Sequence, residues 1–140
     1  MTGYIDSSVL LRLVLNEPNP LENYSKISKG VSSELIRVEC LRTLDRYRIL
    51  NQESEDIYFK RVELLHDAFR KIDFIPVVPD ILFRAGQPFP TQIGTLDALH
   101  LSSCLAYQEH VLGQDDSIVM CTHDDGLKRA TLALGLQVLG

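Results

Sequence analysis

A three-layer α/β/α fold around a small parallel sheet is what this sequence predicts, and three observations carry it. Short segments rich in β-branched residues alternate along the chain with longer helical ones, the pattern of strand–helix–strand units. The helix expected from Gly94 to about Ala106 is apolar on nearly every side, as a helix buried between layers must be. The 140 residues, 45% of them hydrophobic, suffice for one proper core, so a single domain over 1–140 is expected.

The elements follow in order. Tyr4 and Ile5 read as the end of a buried strand, and Val9 to Leu13 suit a helix packed against it, with Asp6 at the hand-over. Asn16-Glu17-Pro18-Asn19-Pro20 is loop chemistry, because two prolines this close cannot sit inside a helix. A short helix from about Leu21 to Ile27 is expected next, then a brief strand over Lys29 to Ser33 that ends in a serine cap, with Glu34 placed against the helix dipole. From Glu34 to about Leu50 the pattern is helical, with Leu35, Val38, Leu41 and Leu44 marking one face and Glu39 beside it. After Asn51-Gln52-Glu53, Ser54 caps a second helix whose apolar set is Ile57, the Arg61 stem, Leu64, Leu65, Ala68 and Ile72, which makes a helical hairpin.

Phe74 to Val78 is a third strand, with Pro76 demoting it to an edge. Pro79-Asp80 opens a short helix to about Ala85, and Gly86-Gln87-Pro88-Phe89-Pro90 is a loop. Thr95 is the expected cap of the buried helix, which puts Asp97 in its first turn. Gln114-Asp115-Asp116 reads as a polar turn before the strand Ser117 to Cys121. A helix from about Leu127 to Leu134 then leads through Gly135 to a last strand, Leu136 to Leu139.

With 14 Lys and Arg against 19 Asp and Glu the net charge is 14 − 19 = −5, which argues against a protein that grips nucleic acid by a broad basic surface. Cys40, Cys104 and Cys121 are odd in number and far apart, so they read as buried thiols in a reducing compartment, not as disulfides or a zinc site. No signal-like segment is visible and no apolar run approaches the roughly 18 residues that span a bilayer. A cytoplasmic protein without a membrane role is expected.

Asp6, Glu39, Asp97 and Asp124 all fall where strands hand over to helices or early in helices. Outside the carboxyl ends of the strands of an open parallel sheet, that is where ligands bind. Mg²⁺ and Mn²⁺ prefer oxygen ligands, and a cation held by such acids can polarise a phosphoryl group and acidify an attacking water. The stretches Tyr4-Ile5-Asp6-Ser7-Ser8, Arg37-Val38-Glu39, Thr95-Leu96-Asp97-Ala98-Leu99-His100-Leu101 and Thr122-His123-Asp124-Asp125-Gly126-Leu127 resemble, in order and across essentially the whole chain, the four acidic motifs of PIN-domain ribonucleases. In size the chain is similar to the VapC-type toxins of toxin–antitoxin pairs.

That resemblance implies a PIN-like fold with a five-stranded parallel sheet carrying the four acids at its carboxyl edge. It also implies a Mg²⁺- or Mn²⁺-dependent endoribonuclease, frequent homodimers, and inhibition by a small antitoxin. Asp6 and Asp97 would bind the metal most directly, Asp124 directly or through water, and Glu39 would complete the ring, with Ser7 or Thr122 helping through a hydroxyl. Asp125 is then the helix cap or a bystander. His100 invites a general-base role but reads as a packed residue or as one that supports a ligating side chain from behind, and His123 stands between a substrate contact and a surface residue. Arg37, Arg42, Arg46, Lys128 and Arg129 are candidate phosphate contacts. The competing class is a non-catalytic PIN-like module that binds RNA or a protein partner. A phosphatase of the haloacid dehalogenase kind is disfavoured, since position 8 is Ser8 where a second aspartate would stand.

Overall fold

The computed structural model describes residues 1–113 and 116–140. Its strands are β1 (Thr2–Ile5), β2 (Lys29–Ser33), β3 (Ile72–Ile75), β4 (Ile118–Cys121) and β5 (Gln137–Leu139). The helices are α1 (Ser7–Val14), α2 (Leu35–Leu50), α3 (Glu55–Phe69), α4 (Pro79–Ala85), α5 (Thr95–His110) and α6 (Asp125–Ala133). All strand pairings are parallel, in the order β3-β2-β1-β4-β5. The chain therefore winds outward from β1 in one direction through β2 and β3, and in the other through β4 and β5. The change of direction falls between β1 and β4, and the carboxyl ends of the strands at such a point are where open parallel sheets bind ligands.

Alternation along the strands sends side chains to two cores. Ile5, Ile72, Val119 and Cys121 meet α1, α2 and α3 through Val9, Leu10, Ile36, Cys40, Leu44, Leu65 and Phe69. Tyr4, Val31, Ile118 and Met120 meet α5 and α6 through Leu101, Cys104, Leu127 and Ala130. The result is the three-layer α/β/α arrangement, with α4 lying on α5. A Cβ at Gly3 on the central strand would come within 2.9 Å of the Ile27 side chain and 3.1 Å of the Cys121 sulfur, so those side chains would have to shift to admit one. The three cysteines are free and buried. Among the described residues no helix is long and apolar enough to cross a membrane.

Several local expectations change. Between Leu21 and Ile27 only a 3-10 turn, Tyr24–Lys26, forms, because Asn23 takes a left-handed conformation (φ 62°) that interrupts any longer helix. Glu34 does not serve the helix dipole alone; its Oε1 accepts the Val77 N–H at 2.9 Å and ties α2 to the segment after β3. β3 starts at Ile72 and stops before Pro76, so Ile72 belongs to the strand and not to α3. As expected it is an edge strand. Gly94, with no side chain to bond, takes the N-cap place given to Thr95. Gln114 and Asp115 of the expected polar turn lie outside the described residues.

The largest shift concerns the faces of α2 and α3. α2 buries Ile36, Cys40 and Leu44, while Val38 is 60% exposed. Steps of three residues precess by about 60° per step around a helix, so the row Leu35, Val38, Leu41, Leu44 winds about halfway round it; the two steps of four from Ile36 through Cys40 to Leu44 drift by only about 40° each. On α3 the buried residues are Leu65 and Phe69, while Ile57 and Leu64 face outward.

This orientation is testable by truncation. Ile36→Ala should cost about 2–5 kcal/mol of unfolding free energy in urea titrations, as for a buried aliphatic side chain. Val38→Ala should stay within about 0.5 kcal/mol, the range of surface substitutions; equal costs would contradict the assigned face.

Candidate active site

Asp6 is held level with the end of β4 by its backbone N–H, which donates to the Cys121 carbonyl at 3.0 Å. Its side chain then caps α1. Oδ2 accepts from the Ser8 N–H (3.2 Å), the Ser8 hydroxyl (2.5 Å) and the Thr122 hydroxyl (2.9 Å). Asp6 is buried, and donors to a charged acceptor offset the water it has lost. Of the two hydroxyls expected to help, Ser7 or Thr122, Thr122 does bond Asp6; the serine that bonds it is Ser8, because an N-cap oxygen meets the residues two and three positions on, not the next one. The Ser8 hydroxyl in turn accepts the His123 N–H at 2.9 Å.

Thr122 joins the first motif to the last. While its hydroxyl donates to Asp6, it accepts the Asp124 N–H at 3.0 Å. Asp124 is the N-cap of α6, its Oδ1 accepting the Leu127 N–H at 2.7 Å. Of the two places open to Asp125, helix cap or bystander, the cap is therefore taken by Asp124. Asp125 is exposed in the first turn and faces Lys128 at 3.6 Å.

Asp97 is the third residue of α5 and half-buried. Glu39 lies in the second turn of α2, also half-buried, with Oε2 bonded by His100 Nε2. Asp6 and Asp124 at N-caps and Asp97 in a first turn put three of the four acids at the positive ends of helices, which favours their charge. Asp97 senses all the others. Its pKa is raised above the ordinary carboxylate value by partial burial, then by the negative charges of Asp124 and Asp6, with Glu39 adding and His100 opposing.

The four carboxylates thus share one electrostatic field. They do not form a closed cage: among the described residues no three His, Cys, Asp or Glu side chains converge as a ready coordination shell. The hydrogen bonds above engage one oxygen each of Asp6, Glu39 and Asp124. An all-oxygen donor set in which each acid offers one atom fits Mg²⁺ or Mn²⁺, and Mg²⁺ usually takes one or two carboxylates and keeps several waters.

The remaining candidates sort by contact. His100 is fully buried (0% exposed), wedged between Tyr4 and Glu39. His123 is half-buried with its ring Nε2 lacking a partner among the described residues; its pKa is lowered by burial and then by Arg12 and Lys128. Arg37 lies over the Phe74 ring at 4.1 Å, and Arg42 and Arg48 both pair with Asp45. Arg46 and Arg129 are exposed.

A family profile described as the PIN domain matches residues 3–131, a span that includes all four acids. The chain belongs to the PIN-domain family. It is 32% identical over 139 residues to Ribonuclease VapC46 of Mycobacterium tuberculosis, an alignment covering 97% of this chain and 95% of the relative. Its fold is similar to that in the crystal structure of VapBC2 from Rickettsia felis bound to a DNA fragment from their promoter. That match has a TM-score of 0.64 at 16% identity and covers 99% of this chain and 97% of the other.

The charge on Asp97 has a measurable consequence for this PIN domain. Folding raises its pKa, so between the unfolded and folded values the folded state binds more proton and loses stability as pH rises. Asp97→Asn, uncharged throughout, should therefore melt higher than the parent in metal-free buffer at about pH 7, the advantage shrinking towards about pH 4. A difference independent of pH in thermal melts would contradict this.

Proposed function

We propose that this PIN-domain protein is a divalent-metal-dependent endoribonuclease, the toxin of a VapBC-like toxin–antitoxin pair, and that its 140 residues act as one domain. What supports the reading is that, beside burial, the charges of Asp124, Asp6 and Glu39 raise the pKa of Asp97, as acids near one another at the carboxyl edge of the sheet would. The 32% identity to Ribonuclease VapC46 supports the activity. The VapBC2 assembly motivates an antitoxin partner for this chain.

In this reading Asp6, Asp97 and Asp124 hold Mg²⁺ or Mn²⁺, directly or through water, and Glu39 completes the set. When bound, the cation polarises a phosphoryl group of RNA and acidifies water. The chain supplies position. Asp6 is pinned through Oδ2 by Ser8 and Thr122, which leaves Oδ1 for the ligand. Asp124 is pinned through Oδ1 to α6, leaving Oδ2. The exposed Arg46 and Arg129 are proposed as phosphate contacts, which would position RNA without reading its sequence. A homodimer is proposed on Leu82 and Phe83 of α4, the latter 74% exposed, since large apolar side chains grouped on a surface mark contact sites.

The net charge of −5 favours the rival reading, a PIN-like module that binds without cutting. Substitution separates the two. Asp6→Asn and Asp97→Asn should keep the circular dichroism spectrum of the parent, lose RNA cleavage to background, and bind Mn²⁺ more weakly in calorimetry. Chelation of the parent should stop cleavage and added Mn²⁺ restore it. Parent-like cleavage by both variants would end the nuclease reading.

The dimer has its own check. Phe83→Glu should move the protein to the monomer in sedimentation; a parent that already sediments as a monomer would remove the dimer.

A further inference from the structure

A chain of hydrogen bonds runs through the interior behind the acids. The Ser33 N–H, at the end of β2, donates to the Tyr4 hydroxyl at 3.0 Å. The Tyr4 oxygen lies 2.8 Å from His100 Nδ1, and His100 Nε2 meets Oε2 of Glu39. Tyr4 and His100 are both fully buried, and their rings meet edge to face at 5.9 Å between centroids. Proton bookkeeping decides the direction of the bond to Glu39, whose carboxylate only accepts. Tyr4 has accepted from Ser33, so its own proton is free for Nδ1, which leaves the ring proton on Nε2. A doubly protonated ring would also carry a proton on Nε2. In either state His100 donates to Glu39.

The elements so joined are the ones that carry the acids. Tyr4 is two residues before Asp6, Ser33 immediately precedes the turn into the helix of Glu39, and His100 is one helical turn after Asp97. His100 has no exposed surface from which to reach RNA, and the nuclease chemistry above gives it no task.

We propose that His100 is a positioning residue: held from behind by Tyr4 and the Ser33 backbone, it donates from Nε2 to Oε2 of Glu39 and fixes that carboxylate in the cation site, leaving Oε1 for the ligand. The inference rests on the reading of Glu39 as part of a divalent-metal site. Groups that hydrogen-bond a ligating side chain orient it, and their loss typically lowers metal affinity or activity about 10–100-fold.

The test is Mn²⁺ titration calorimetry on the full chain without RNA, combined with cleavage kinetics. His100→Leu, which keeps bulk and removes both ring nitrogens, should weaken Mn²⁺ binding by about tenfold or more and lower kcat with little change in KM for RNA. His100→Gln, whose amide can still donate to Glu39, should recover most of that loss. In a double-mutant cycle, Glu39→Gln with His100→Leu should bind Mn²⁺ no more weakly than Glu39→Gln alone, because His100 acts only through Glu39.

Additive losses in the cycle, or parent-like Mn²⁺ affinity in His100→Leu, would overturn the proposal while leaving the metal-site reading intact. Unchanged affinity in Glu39→Gln alone would overturn that reading and the proposal with it. Should His100→Leu fail to fold, Tyr4→Phe removes the hydroxyl that orients the ring and should shift Mn²⁺ affinity in the same direction; a Tyr4→Phe variant that binds like the parent then overturns the proposal.

Discussion

The constraint on which this molecule depends is the enclosure of β1. The strand has parallel partners on both edges and helices over both faces, so Tyr4 and Ile5 have no exposed surface. A strand in that position cannot slip by one residue without exchanging its two cores, because its side chains alternate between them. Asp6 follows directly and inherits the same fixity. Ile5 anchors one core, and Tyr4 enters the other, where it reaches His100 and through it Glu39. The placement of the acids is thus tied to the burial that stabilises the sheet.

Gathering carboxylates opposes folding, and the structure offsets that by local means. Helix starts, hydroxyls and backbone N–H groups meet the acids before any cation does. Capping and cation binding are often weighed as rival explanations of an Asp at a helix start. Here Asp6 and Asp124 do the first with one oxygen and keep the second oxygen for other use. Asp97 is not fully relieved: burial first, and then the neighbouring acids, raise its pKa.

The overall plan was legible along the chain because strand–helix alternation and proline placement act locally. β2, α4 and β4 lie where β-branched runs and proline put them; Asp6 follows β1, Asp97 is in the first turn of α5 and Asp124 caps α6, whereas Glu39 sits in the second turn of α2. Less legible were matters of angle and partner. The buried face of α2 turns on a small angular drift that rows of three disguise. Ser8 is distinguished from Ser7 only by capping geometry, and Asp124 from Asp125 only by which residue precedes the first helical turn. The turn at Tyr24–Lys26 came from the backbone of Asn23, which composition does not reveal.

The linear order of residues determined the class of the fold and the succession of its strands and helices, since each is a property of a short window; the four acids came as candidates from the likeness of their stretches to the family's motifs. Folding decided which atoms meet. The junction of Thr122 with Asp6, 116 residues apart, and of His100 with Glu39, 61 apart, exist because parallel strands bring distant segments to one edge. No local pattern encodes such pairs: closing long loops is repaid only by the burial of the whole sheet.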